Sequence, residues 1–261
     1  MSYLRHLFVI ALLAIGIISN AQSTSDGFSI IGKSSEGLNV RHKISQVSIE
    51  RSEVTEGQTI SLSGIYLPNC AGAPDLPSHS TFVALPKGAT ARLEISYVKT
   101  HLINNVDIIP AAQPQLDNEN SLVIHEKDQK IYSQNAFYPE TPFRLSNPTT
   151  IRGINVISLD AMPFQYNPVT KELLVYDEVD LKVSIEGGEK EIGDTRYRTK
   201  EWDHILSDII LNFNDLPSID YGKRLRQHYE NRETGCEYMI ITPDNPDFIQ
   251  LADSIRMFRI A

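Results

Sequence analysis

The residues from Ile151 to Ile185 constrain the fold more than any other stretch of the chain. In the second half of this stretch, apolar residues alternate with Asp180, Lys182 and Ser184, which is the period of a β-strand with one buried face. The apolar set is Val179, Leu181, Val183 and Ile185. Just before it, Asn167-Pro168 and Thr170-Lys171 predict a turn between two strands. Because an isolated hairpin is marginal in water, the rest of the chain is expected to supply a second sheet.

Further strands are predicted on the N-terminal side of this hairpin. Residues 27–66 alternate around Val47–Ile49 and again over Gln58–Tyr66, with Glu56-Gly57 as a turn between them. After Gly88 a strand is predicted with one apolar and one polar face. Its apolar face is expected to hold Ala91, Leu93, Ile95 and Tyr97, and its polar face Arg92, Glu94 and Ser96.

Two proline-containing or polar stretches are predicted to be loops. Leu67–Pro86 is expected to be a loop because Pro68, Pro74, Pro77 and Pro86 cannot occupy a central strand. Gln115–Lys130 is polar and charged and is expected to be an exposed, mobile loop. Many short strands separated by turns predict an antiparallel sandwich or barrel.

The periodicity changes from strand-like to helical at Thr199. Apolar residues then follow i, i+3, i+4 offsets, so an amphipathic helix capped by Thr199 is predicted. The apolar stripe contains Trp202, Ile205, Leu206, Ile209, Ile210 and Phe213. Such a stripe is expected to pack on the helix's own domain.

Residues 214–235 are predicted to be a linker with a basic cluster, Lys223, Arg224, Arg226 and Arg232. After it, Glu237–Ile241 predicts a short strand, and Phe248–Phe258 predicts an amphipathic helix. Strand, loop and helix form the first unit of a parallel α/β domain. Such a unit cannot bury its own faces, so the sequence is expected to be truncated or cut from a larger reading frame. The predicted fold class is therefore mainly β: an antiparallel β-sandwich over 22–213 with a C-terminal amphipathic helix, and a truncated α/β start over 236–261.

The N-terminus predicts export. Leu7–Ile18 is almost wholly apolar, and small residues precede a cleavage site after Ala21, so residues 1–21 are interpreted as a signal peptide. The apolar run is short for a membrane span, and no later segment approaches spanning length. The mature chain is expected in the periplasm, at the cell surface or outside the cell. A net charge of -9 argues against nucleic acid as a partner.

The residues offer no catalytic or metal-binding motif. The seven histidines are scattered, without an i, i+4 pair, and there is no CxxC, P-loop or GxGxxG motif. The two cysteines, Cys70 and Cys236, lie far apart in sequence; two separate thiols are favoured over a disulfide bond. No cofactor is predicted for this chain.

Three blocks of the sequence resemble gingipain-type cysteine peptidase precursors, of the caspase-like clan. Leu67–Ile95 (LPNCAGAPDLPSHSTFVALPKGATARLEI) and Val156–Val183 (VISLDAMPFQYNPVTKELLVYDEVDLKV) resemble the propeptide. Glu237–Arg259 (EYMIITPDNPDFIQLADSIRMFR) resembles the first strand and helix of the peptidase domain. In that family the catalytic His and Cys lie farther downstream, so neither Cys70 nor Cys236 is expected to be a nucleophile. Calcium remains open for full-length members.

The resemblance implies a propeptide that keeps its own caspase-like catalytic domain latent and assists its folding. In relatives, a prodomain loop presents a basic side chain to a pocket selective for Arg or Lys. The loop Gln115–Lys130 is the candidate, with Lys127 or Lys130 as the inhibitory residue, although both lysines could equally be ordinary solvated side chains. Cleavage in the basic linker, at Arg224, Arg226 or Arg232, would separate the two architectures. The alternative is a stand-alone exported β-sandwich that binds carbohydrate or a surface protein.

Overall fold

The computed structural model describes residues 26–62, 69–114, 123–230 and 239–260. The chain divides into two compact units, one ending at Pro217 and the other beginning at Ser218. The strands of the first unit are β1 Gly27–Ser34, β2 Gly37–Lys43, β3 Val47–Arg51, β4 Gln58–Leu62, β5 His79–Leu85, β6 Thr90–Asn104, β7 Phe143–Leu145, β8 Thr149–Ile151, β9 Ile154–Ala161, β10 Phe164–Asn167 and β11 Glu172–Glu186. Its helices are α1 Gln129–Tyr132 and α2 Lys200–Ile209.

The predicted hairpin lies at the centre of a five-stranded antiparallel sheet. Strand β11 pairs on one side with β2 and β10 and on the other side with β6, while β1 extends the sheet beyond β2. The carboxamide oxygen of Asn167 accepts hydrogen bonds from the backbone N–H groups of Val169 and Thr170, which closes the β10–β11 turn. Val179, Leu181 and Val183 are buried, so the alternation predicted for this strand is confirmed.

A second antiparallel sheet packs against the first, and their facing side chains form the core. It consists of β5, β9, β7 and β8, with β9 paired to the other three strands. Leu181 and Val183 of the first sheet share one buried cluster with Val83, Leu85 and Ile157 of the second. The prediction of a mainly β fold with packed antiparallel sheets is therefore confirmed.

The prediction that all of Leu67–Pro86 is a loop is wrong, because residues 79–85 form strand β5. Pro77 and Pro86 bound the strand and do not interrupt it. The strand has apolar residues on both faces: Val83 and Leu85 point into the core between the sheets, whereas Ala84 packs on the opposite side. A strand covered on both faces lacks the alternation that identifies a half-buried strand.

Helix α2 covers that opposite face of the second sheet and adds a third layer. The hydroxyl of Thr199 accepts a hydrogen bond from the Trp202 N–H, so this residue caps the helix as predicted. Leu206 and Ile210 are buried with Ala84, Ile154, Val156 and Leu216. Of the predicted stripe, Trp202 and Ile205 remain substantially exposed.

The predicted faces of β6 are only partly correct. Ala91 and Leu93 pack against the core, but Ile95 and Tyr97 are about half exposed, at 49% and 48%. The pairing with β11 slips at this point: Ile95 opposes Leu181 and Tyr97 opposes Asp180, which leaves an extra residue on β6 between them. This bulge turns Tyr97 to the other face of the sheet.

The second unit contains two helices in its described residues, α3 Tyr221–Glu230 and α4 Pro246–Ile260. Helix α3 lies within the segment 214–235 that the sequence predicts as a linker. Residues 239–241, the described part of the predicted strand, have no strand structure. Helix α4 confirms the predicted helix, but Phe248, Leu251 and Met257 on it are exposed.

Candidate functional site

The loop between β6 and β7 has a base that is fixed by backbone hydrogen bonds to neighbouring segments. On the outgoing side, Ala111 N–H donates to the Ala73 carbonyl, and the Ala111 carbonyl accepts from Gly72 N–H. On the returning side, Asp128 N–H donates to the Gly72 carbonyl. Gln113 N–H donates to the Ile124 carbonyl at 3.0 Å and joins the two sides. These hydrogen bonds form a frame that fixes residues 111–113 and 124–128.

Helix α1 anchors the returning side of the loop to the core. The Asp128 carboxylate accepts a hydrogen bond from Lys130 N–H and so caps this single helical turn. The Tyr132 hydroxyl donates to the Ile108 carbonyl at 3.0 Å, and its ring packs on a buried cluster that includes Phe164 and Tyr166. Burial raises the pKa of Tyr132 well above its ordinary value, so the phenol stays a neutral donor.

Lys127 lies on this anchored frame, and its ammonium group is in contact with other parts of the loop base. Its Nζ lies 4.9 Å from the centre of the Tyr132 ring, a cation–π distance, and 3.9 Å from a carboxylate oxygen of Asp107. The other oxygen of Asp107 accepts a hydrogen bond from Lys171 at 2.8 Å. The side chain of Lys127 nevertheless keeps 44% of its surface exposed. A pair this exposed holds the lysine only weakly.

Lys130 lies three residues further along, on α1, and is exposed. Its backbone N–H is used by the cap, whereas its ammonium group makes no ion pair with a described residue. The structure therefore brings both predicted lysines to the returning side of one anchored loop. Residues 115–122 of the predicted inhibitory loop lie outside the described residues.

The basic cluster predicted as a processing site falls in the second unit. Helix α3 follows Asp220, whose carboxylate accepts from Lys223 N–H and whose carbonyl accepts from Arg224 N–H. Arg226 is exposed and Arg224 is half-buried. A helical backbone cannot enter a protease cleft in the extended form, so cleavage at either arginine requires α3 to open. Arg232 lies outside the described residues.

Other predicted residues are placed as follows. Cys70 is an exposed free thiol, and Cys236 and the signal cleavage residue Ala21 lie outside the described residues.

In the described part of the chain, no group of three or more His, Cys, Asp or Glu residues could hold a metal ion. Helices long and apolar enough to cross a membrane are also absent from the described residues.

The sequence did not identify the residues that fix the loop frame. Asp107, Asp128 and Tyr132 act through contacts with segments far away in sequence, and periodicity carries no information about such contacts. The Asp128 cap had a local signal, because an Asp shortly before a short apolar pair is a common helix start.

The Propeptide_C25 family model matches residues 29–219 of this chain. The match covers the two sheets, helix α2 and the loop frame. It therefore includes nearly the whole first unit described above.

Sequence comparison finds similarity to gingipains of Porphyromonas gingivalis. The chain is 32% identical to Gingipain R1 over 130 residues, which is 50% of this chain and 12% of that protein. It is 27% identical to Gingipain R2 over 164 residues, 61% of this chain and 21% of that protein. The similarity to Lys-gingipain is 20% over 157 residues, 56% of this chain and 9% of that protein. The chain therefore spans a small part of the length of these relatives.

Two solved structures have a similar fold. A chain in the complex of Porphyromonas gingivalis RgpB pro- and mature domains superposes with a TM-score of 0.59 at 22% identity, covering 73% of this chain and 99% of that one. A structure described as giving insight into the zymogenic latency of gingipain K, from the same organism, superposes with a TM-score of 0.54 at 18% identity. It covers 64% of this chain and 96% of that one.

Proposed function

The chain belongs to the Propeptide_C25 family, and we propose that its β-sandwich keeps a gingipain-like cysteine peptidase latent. Latency ends when the β-sandwich is separated from the peptidase domain. The observation that carries this proposal is the extent of the match: the family model spans 29–219, and the fold covers 99% of a chain from the complex of the RgpB pro- and mature domains. The stand-alone binding module has no comparable support. Assistance in folding of the peptidase domain belongs to the same proposal.

An inhibition titration tests the proposal. The full chain is added to an activated gingipain-type peptidase, and residual activity is measured against a small chromogenic substrate. Tight protease–inhibitor pairs bind in the nanomolar range or below, so inhibition constants of about 1–100 nM are expected. Heat-unfolded chain is the control, because it has the same composition without the fold. Full activity at micromolar concentrations of folded chain would refute the proposal.

We further propose that a lysine of the anchored loop enters the specificity pocket of the peptidase, with Lys130 as the first candidate and Lys127 as the second. Lys130 is exposed without a described ion-pair partner, whereas Lys127 contacts Tyr132 and Asp107. An ammonium group at an acidic pocket floor forms charge-assisted hydrogen bonds. Each such bond contributes about 1.5–3 kcal/mol, so its loss weakens inhibition about 10- to 150-fold.

Single substitutions separate the two lysines. Lys130→Ala is expected to weaken inhibition by the amount above, and Lys130→Arg tests whether the pocket accepts a guanidinium group. Lys171→Ala is a matched control, because Lys171 binds the same Asp107 carboxylate but lies in the β10–β11 turn. If the Lys127→Ala/Lys130→Ala double variant inhibits as well as the unmodified chain, neither lysine is the inhibitory residue.

We also propose that activation cuts the chain after one of the basic residues 223–232. Because α3 must open before Arg224 or Arg226 can be cleaved, the rate of either cut is expected to follow the opening of that helix. Limited digestion by a trypsin-like peptidase, followed by mass measurement of the first products, identifies the site of the first cut. First cleavage within Arg92–Ile185 would contradict the proposal.

Export and the partner complete the proposal. The apolar run Leu7–Ile18 and the small residues before Ala21 support a secretory signal, and N-terminal sequencing of the exported protein should begin at Gln22. The proposed partner is the chain's own caspase-like peptidase domain. Metal analysis of a full-length protein tests for bound calcium. No nucleic-acid partner is proposed.

A further inference from the structure

Two histidines meet in the core between the facing sheets. His42 lies on β2 of the first sheet and His79 begins β5 of the second. His42 Nε2 and His79 Nδ1 are 3.0 Å apart, a hydrogen-bond distance across the interface. His42 is completely buried and His79 is 8% exposed. This contact is a polar link within an otherwise apolar cluster.

Aromatic rings surround His42. The Phe28 ring lies 4.8 Å from it and the Phe143 ring 6.0 Å, both edge to face, and Tyr176 packs on Phe143. The Nδ1 atom of His42 has no hydrogen-bond partner among the described residues. These rings pack well against a neutral imidazole, and none of the described residues bonds to the Nδ1 atom that a charged imidazole would need to satisfy.

Ionisable groups on the neighbouring strands β9 and β11 have hydrogen-bond or ion-pair partners of their own. Asp177, in the bulge of β11, bonds to His101 at 3.0 Å, and Glu178 lies 3.3 Å from Arg41. Asp160 sits next to Ala161, the residue opposite His79, and bonds to Ser80, Ser158 and Arg144. The Tyr176 hydroxyl donates to the Gln165 side chain. These acidic groups on β9 and β11 are thus paired with residues other than His42.

The geometry limits how many protons the pair can hold. Only one proton fits between two nitrogens 3.0 Å apart, so the two rings cannot both become imidazolium without separating. A single proton added to His42 would leave a buried charge with an unpartnered N–H. Burial, together with the neighbouring His79, lowers the pKa of His42 from 6.5 to about 3.

We propose that the His42–His79 contact is a pH-sensitive lock between the two sheets: it stabilises the fold while both imidazoles are neutral, and the fold loses stability when the protein is acidified. The loss of stability follows from the contact alone. Its consequence, acid release of a latent peptidase, rests on the function proposed above.

The sign and size of the effect follow from linkage. The unfolded chain binds a proton at His42 below about pH 6.5, whereas the folded chain resists it down to about pH 3. Stability is therefore lost as the pH falls through 6.5. Between pH 7.5 and pH 5.0 the unfolding equilibrium constant is expected to rise about 30-fold on account of His42.

Urea unfolding of the full chain at pH 7.5, 6.0 and 5.0 tests the lock. The His42→Phe variant keeps a ring among its aromatic neighbours and should lack that 30-fold increase. His204→Gln, at an exposed position on α2, is the control and should follow the unmodified chain. Equal pH dependence of His42→Phe and the unmodified chain would overturn the proposal.

A second measurement does not depend on the folding of a variant. Imidazole NMR shifts of the unmodified chain should show His42 neutral down to pH 5, and a His42 titration midpoint near 6.5 would also overturn the lock. Inhibition measured at pH 5 and pH 7.5 separates the two proposals. A chain that loses stability as described but inhibits at neither pH keeps the lock and refutes the proposed function.

Discussion

The two units of the chain differ in how far their apolar side chains are exposed to solvent. In the first unit, Leu181 and Leu206 are almost wholly buried in clusters formed by residues distant in sequence. In the second, Leu251 is 58% exposed and Met257 62% exposed. Burial of apolar surface is the main source of stability. The buried apolar clusters that stabilise the first unit are formed by residues of that unit. We expect it to remain folded after a cut in the basic segment.

The largest difference between the units is expected when an ion pair is removed from each, because the pair in the first unit is buried. Arg198, 3% exposed, donates two hydrogen bonds to Asp203 at 2.7 and 2.8 Å and a third to the Pro217 carbonyl. Removing one partner leaves a buried charge, so Asp203→Ala should lower the free energy of unfolding by about 3–5 kcal/mol. Asp253→Ala removes an exposed pair with Arg256 in the second unit and should change it by less than about 0.5 kcal/mol. Urea denaturation measures both changes. Similar losses of stability in the two variants would contradict the expected difference between the units.

The next contrast compares one apolar truncation in each unit. Leu181→Ala empties a site in the core between the sheets and should destabilise by about 2–5 kcal/mol. Leu251→Ala, on the exposed part of α4, should stay within about 0.5 kcal/mol. Thermal unfolding followed by circular dichroism checks this. A large effect of Leu251→Ala would mean that α4 contributes to the stable core.

The smallest contrast concerns two local caps. Asn167→Ala removes two hydrogen bonds that close the β10–β11 turn and should cost about 1 kcal/mol in global stability. Asp220→Ala removes the bond to Lys223 N–H at the start of α3, and should reduce helix content without moving the main unfolding midpoint. Hydrogen exchange resolves the two effects. A shift of the main unfolding midpoint by Asp220→Ala would show that the unfolding of α3 is coupled to that of the first unit.

These contrasts also show how far the sequence predicts the fold. The β10–β11 hairpin and helix α2 were predicted correctly, because one face of each is apolar and the period is visible along a single segment. Strand β5 was missed because both its faces are covered, which removes the alternation. Tyr97 was assigned to the wrong face because a bulge, set by the pairing with β11, is a property of two strands and not of one.

Less of the candidate site could be predicted from the sequence, because it too depends on contacts between distant segments. The frame that holds Lys127 and Lys130 depends on contacts such as Tyr132 to Ile108 and Asp128 to Gly72, which no local pattern records. His42 and His79 are two scattered histidines in the sequence, and they meet only because the two sheets face each other. The basic residues near 224 could be predicted as a cluster, but the helix that contains three of them could not.

The most direct test of the account is the affinity of the processed first unit for a mature gingipain-type peptidase domain. After cleavage in the basic segment, the fragment ending there is purified and titrated against the inactivated peptidase domain by calorimetry. We predict that this fragment unfolds cooperatively and binds with a dissociation constant of about 1–100 nM. A folded fragment that shows no binding at micromolar concentrations would contradict it.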